Sequence, residues 1–183
     1  GAPCFASRAM PPFWQKLRAT VPGPFLAALA LAGGFLAFVA WDQSNWWRVK
    51  QDYTFGWLVP FFVAFVVNDR WPKIVAALDA CAAEGSPRAA GWQKWLLRLA
   101  VGASLTGGVL MFLLGSFYRA GAGTSQPGTL AITLGMIGIL LPLLFINAPD
   151  PGSAPARASL FADARVKVTA LFLFPVLVWL VSA

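Results

Sequence analysis

The chain holds two cysteines and no histidine, which leaves little room for nucleophilic or metal chemistry. A reactive thiolate needs a base or cation beside it, and a zinc site needs Cys or His ligands at close spacing. Cys4 and Cys81 share no CxxC spacing and have no histidine to pair with, so no catalytic residue, metal ligand or cofactor is expected within the chain. The glycine-rich stretch 121–128 is only superficially like a phosphate-binding loop, because it lacks the P-loop lysine and a preceding strand; it reads as a short turn. The acidic residues Asp42, Asp52, Asp69, Asp79, Glu84, Asp150 and Asp163 fall between the apolar stretches or at their ends.

Those stretches are the elements that must position any site. They are 25–41, 53–67, 95–117, 129–146 and 168–183. The chain is 58% hydrophobic and 11% charged, with mean hydropathy +0.68. A soluble domain is about a quarter charged. Crossing a ~30 Å hydrocarbon core takes about 20 helical residues, with a lower limit of about 17. The expected fold is therefore all-α: a polytopic transmembrane helical bundle of about five spans plus an interfacial amphipathic helix. No carboxylate falls at mid-membrane, where an ion relay needs one. The apolar tail running to Ala183 and the initial Gly1 suggest the N-terminal part of a longer protein. The expected organisation is a cytoplasmic arm over 1–24 and a transmembrane helical domain over 25–183 that continues further, with a cytoplasmic loop at 68–94.

Within the loop, Trp71, Ile74, Val75 and Leu78 recur at helical spacing behind Pro72, and Gly85, Ser86 and Pro87 close the run. This predicts an amphipathic helix lying on the inner leaflet. Close helix packing is expected at the small-residue pairs Ala30/Gly34 and Gly33/Ala37 in the first span. In the third it is expected at Gly102/Thr106, Ala103/Gly107 and Ser104/Gly108. Pro60, Pro142 and Pro175 stand in span interiors, where each can kink its helix. Arg98 lies one turn inside the third span, close enough to snorkel to the interface.

Alternate segments differ sharply in basic charge. Arg8, Lys16 and Arg18, then Arg70, Lys73, Arg88 and Lys94, then Arg157, Arg165 and Lys167 lie on one side; Arg48, Lys50 and Arg119 lie on the other. The positive-inside rule puts the first group, and the N-terminus, in the cytoplasm. The net charge of +7 is thus a topology signal, and no nucleic-acid partner is expected. Tryptophans at 41, 46, 47, 71, 92 and 95 flank the spans, where indole rings favour the headgroup zone.

The most distinctive string is 51–60, where the first outward loop enters the second span. Asp52 or Thr54 can cap the helix, Gly56 permits close backbone approach, and Pro60 follows a turn later. This string resembles the first motif of the exosortase/archaeosortase family, roughly Asp-x-x-Tyr-Ser-His-Gly-x-Leu-Val-Pro. Tyr53, Gly56, Leu58, Val59 and Pro60 match in register, Thr54 replaces Ser, Asp52 adjoins the tyrosine, and Phe55 replaces the usual His. Over the rest of the chain the likeness is architectural. The resemblance implies a multi-pass cysteine transpeptidase or protease of the bacterial inner membrane that processes C-terminal sorting signals of exported proteins. In that family Cys, Arg and His near the outer face do the chemistry, and the nucleophile follows the spans present here. The chain then reads as a membrane scaffold part whose partners are the bilayer and sorting-signal-bearing exported proteins. The alternatives are a fragment of a multi-pass transporter or a non-catalytic assembly subunit.

Overall fold

The computed structural model describes residues 21–49, 55–123, 125–152 and 156–182. Four long helices dominate: α1 (Gly23–Val49), α2 (Leu58–Ala82), α3 (Trp92–Ala122) and α4 (Gln126–Ile146). A short helix α5 (Ala164–Ala170) and a final helix α6 (Leu173–Ser182) follow, with a turn between them at 171–172. Two two-residue strands, β1 (Arg88–Ala89) and β2 (Arg157–Ala158), pair in parallel.

Among the described residues three helices, α1, α3 and α4, are long and apolar enough to cross a membrane. At 1.5 Å per residue, the 31 residues of α3 extend roughly 46 Å, beyond the hydrocarbon core at both ends or tilted across it. The surface is apolar where a water-soluble protein would be polar. Phe61 and Phe65 on α2, with Leu110, Leu114 and Phe117 on α3, are each more than half exposed. Such a belt far exceeds the apolar patches of soluble monomers and fits a lipid surround.

The two other expected spans take different forms. The second does not end at residue 67: α2 runs unbroken to Ala82 through Pro72, so the surface helix expected behind Pro72 is the second half of α2. Its apolar face is covered by the bundle. Ile74 and Leu78 are 1% exposed and pack with Phe25 of α1, Leu144 of α4 and Val168 of α5. The periodicity was a true helix signal, but protein covers the face that was expected to lie on lipid. The fifth stretch is divided between α5 and α6, which run beside α2 and give no single helix of spanning length.

Two apolar clusters fill the bundle. One joins Phe25, Ile74, Leu78, Leu144, Val168 and Phe172; the other joins Phe35, Val39, Val63, Ile132, Met136 and Trp179. The first gathers the start of α1 with the ends of α2 and α4. The second lies toward the end of α1 and the start of α2. The bundle thus has two ends: the basic end, holding residues 79–98, 146–152 and 156–165, and the motif end, where α1 stops and α2 begins.

The tightest contact is α3 on α4, where backbones touch. A Cβ at Gly108 would stand 2.7 Å from the Gly135 carbonyl oxygen, and one at Gly135 would run into the backbone of Phe112. Ser104 Oγ donates to the Gly138 carbonyl at 2.9 Å. Of the expected small-residue pairs, Ser104/Gly108 forms this contact, whereas Gly102, Ala103, Thr106 and Gly107 are exposed. The α1 pairs are not at a helix contact either: Gly33 and Gly34 have nothing within 4 Å of a built Cβ, and Phe35 and Val39 turn inward instead. Larger apolar side chains bury more area there. Pro60 and Pro175 stand in the first turns of α2 and α6, where the missing N–H breaks no helical bond; Pro142 is interior to α4.

Candidate functional site

Asp52, Tyr53 and Thr54 lie outside the described residues, as does Cys4. The rest of the motif forms the joint between α1 and α2. Gly56 is buried, and a Cβ there would collide with the indole of Trp47, which is itself 2% exposed. Trp47 meets Trp57 edge-on with ring centroids 5.4 Å apart, and the Arg48 guanidinium sits 5.7 Å above the Trp57 ring. Val59 packs against the motif-end core, while Leu58 is exposed. Glycine here admits a tryptophan, which locks the start of α2 onto the end of α1.

Beside this joint lies a polar cluster whose members are far apart in the sequence. Arg119, at the end of α3, makes a 2.6 Å ion pair with Asp42 of α1. Thr129, at the start of α4, donates to the other Asp42 oxygen at 2.8 Å. Asp42 was expected at a span end, but α1 continues two turns past it to Val49, and three helices close around its carboxylate. Gln43 next to it is buried, and its amide nitrogen has no hydrogen-bond partner among the described residues.

The basic end is tied by a second cluster. Arg88 is 6% exposed, and its terminal nitrogens donate to the carbonyls of Cys81, Pro149 and Pro87 and to Ser86 Oγ. The Arg88 N–H donates to the Ala156 carbonyl at 2.9 Å where β1 joins β2. Asp163 is fully buried. One carboxylate oxygen accepts from the Ala89 N–H at 2.9 Å, and the other accepts from the Arg165 N–H at 3.0 Å as the N-cap of α5. One arginine and one aspartate therefore stitch the loops before α3 and after α4 into a single plug. An Asp two residues before an Arg, opening an apolar helix, is a legible N-cap signal. The reach of Asp163 to Ala89 is not legible, because it depends on tertiary packing.

Cys81 lies under this plug, fully buried. Burial pushes its thiol above the ordinary range, and the nearby Arg88 charge only partly offsets this. A thiol held neutral and sealed from solvent is a packing residue, not a nucleophile. Among the described residues no group of His, Cys, Asp and Glu side chains could hold a metal ion.

Two neighbouring hollows open beside the plug. A cavity of about 320 Å³ is lined by Arg88, Lys94, Arg98 and Arg165 with Asp150. An apolar groove of about 240 Å³ runs between α3, α4 and the α5–α6 segment, past Val101, Ser104, Leu141 and Leu173. Leu97 and Phe145 line both. Arg165 stacks over the Phe145 ring at 4.6 Å. Arg98, expected to reach back to the interface alone, is one of four cations around one space.

Comparison with protein-family models, curated proteins and solved structures finds no match to this chain.

Proposed function

We propose that this chain is the membrane scaffold of an exosortase-like cysteine transpeptidase of the bacterial inner membrane, with its N-terminus and basic end in the cytoplasm and its motif end outward. The observation that carries this reading is the motif joint: the string that resembles the family's first motif closes α2 onto α1 through Gly56 and Trp47. Three helices are braced beside that joint by Asp42, Arg119 and Thr129. This gives a rigid outward rim beside which catalytic groups from outside the chain can be placed. Cys81, buried at the opposite end, takes no part in the chemistry. The substrate is the C-terminal sorting signal of an exported protein, whose apolar segment lies against the exposed apolar faces of the bundle.

The test uses a strain expressing a tagged protein with a C-terminal sorting signal. Deleting the gene should make the unprocessed form accumulate, and plasmid copies of wild type or Cys81→Ala should restore processing. Gly56→Leu, made at wild-type level in the membrane, should not. Unchanged processing in the deletion strain sinks the proposal.

A further inference from the structure

The cationic cavity at the basic end and the apolar groove are neighbours that share Leu97 and Phe145 as lining residues, which sets a charged wall beside an apolar one. Four cations face the cavity against one lining carboxylate, Asp150. Arg88 is more than nine-tenths buried, and its Nε–H has no hydrogen-bond partner among the described residues although both terminal nitrogens are engaged. That nitrogen is itself sealed inside the protein, so Arg88 gives this wall a fixed positive charge, while the exposed Lys94 and Arg98 carry donors within reach of a ligand. Lys94 and Arg98, one turn apart on α3, add two flexible donors at the cavity mouth. The groove, which borders the cavity at Leu97 and Phe145, leads along α3 and α4 toward the α5–α6 turn and is almost wholly apolar.

We propose that the cavity and the groove together bind one anionic phospholipid of the leaflet at the basic end. Its phosphate sits among Arg88, Lys94, Arg98 and Arg165, and an acyl chain lies in the groove past Val101 and Leu141. Basic pockets between membrane helices hold anionic headgroups by charge and by fixed donors, and a zwitterionic headgroup lacks the net charge to match. The basic tail of a sorting signal is repelled by the same four cations, so the occupant is not the substrate. The bound lipid would fasten α3 to the α5 plug, where Arg165 is held by Asp163. The inference rests on the bilayer placement of the bundle and is independent of the peptidase reading.

The experiment is native mass spectrometry of the delipidated full-length protein in detergent, titrated separately with dioleoyl phosphatidylglycerol, dioleoyl phosphatidylcholine, dihexanoyl phosphatidylglycerol and inorganic phosphate. One tight phosphatidylglycerol adduct is expected, with phosphatidylcholine much weaker. The double variant Lys94→Gln/Arg98→Gln should weaken phosphatidylglycerol binding roughly thirtyfold. Arg157→Gln, at an exposed position outside the cavity, should change nothing. Ala100→Phe, which fills the groove, should weaken the dioleoyl lipid but spare the dihexanoyl one. Thermal melting without lipid checks that each variant is folded. Equal affinity for the two dioleoyl headgroups, or an unchanged preference in the double variant, overturns the proposal. Competition by inorganic phosphate at the lipid's own affinity would show a soluble-anion site and overturn it as well.

Discussion

Arg119 donates to Asp42 across 2.6 Å although the two residues stand 77 positions apart, and Thr129 holds the second oxygen of the same carboxylate. The carboxylate is 10% exposed, so removing its cation leaves a charge with little water to solvate it. Arg119→Gln should lower stability by about 2–3 kcal/mol, and Thr129→Val by about 1 kcal/mol. Thermal melts in detergent measure both. Asp42→Asn/Arg119→Gln should cost less than the sum of the single changes, because the stranded charge is gone.

The α3–α4 contact is set by absent side chains. Gly135→Ala should cost about 2 kcal/mol, because a methyl group there meets the backbone of Phe112. Gly33→Ala on α1, with open space around it, should be neutral or stabilise by about 0.5–1 kcal/mol through helix propensity. Melting temperatures of the two variants should move in opposite directions or differ by several degrees.

Asp163 satisfies two backbone N–H groups from different elements, Ala89 of β1 and Arg165 in the first turn of α5. Asp163→Ala should therefore cost about 2–4 kcal/mol, more than loss of an ordinary helix cap. Asp163→Asn keeps one acceptor and should fall between Ala and wild type. Limited proteolysis should show cleavage near residue 152 rising in the same order.

Cys81 should resist thiol reagents near neutral pH in the folded protein and react only on unfolding. Its folded-state pKa lies above the ordinary 9.0. The unfolded chain therefore loses this proton first as pH rises, and the thiol's contribution makes stability fall above about pH 9 and stay flat below it. Cys81→Ala should flatten that alkaline loss. Faster melting of wild type than of Cys81→Ala at pH 10, relative to pH 8, is the expected signature.

How far the sequence could be read depended on whether a feature was local. Three of the five apolar runs, the Trp71–Leu78 helical period and the Ser104/Gly108 contact are local patterns that appear in the structure as expected. What covers a helix face is not local. Ile74 and Leu78 carry the same period whether they meet lipid or Phe25, and only the fold decides between them. The small residues of α1 have the spacing of a packing stripe, yet Phe35 and Val39 on another face win the core. The partner of Asp42 was hidden for the same reason: Arg119 sits in a different helix, and nothing near either residue announces the other. Gly128, Gly135 and Gly138 on α4 were a readable signal, since their spacing of seven and three places them on one helix face.

The bundle should lie in lipid with its two ends on opposite sides of a membrane. Dual reporters, active only in the cytoplasm or only outside it, can be fused after Glu84 at the basic end and after Arg119 at the motif end. The expected result is cytoplasmic activity for the Glu84 fusion and external activity for the Arg119 fusion, both in a carbonate-resistant membrane fraction. Both fusions reporting the same side, or the protein released by carbonate, would contradict it.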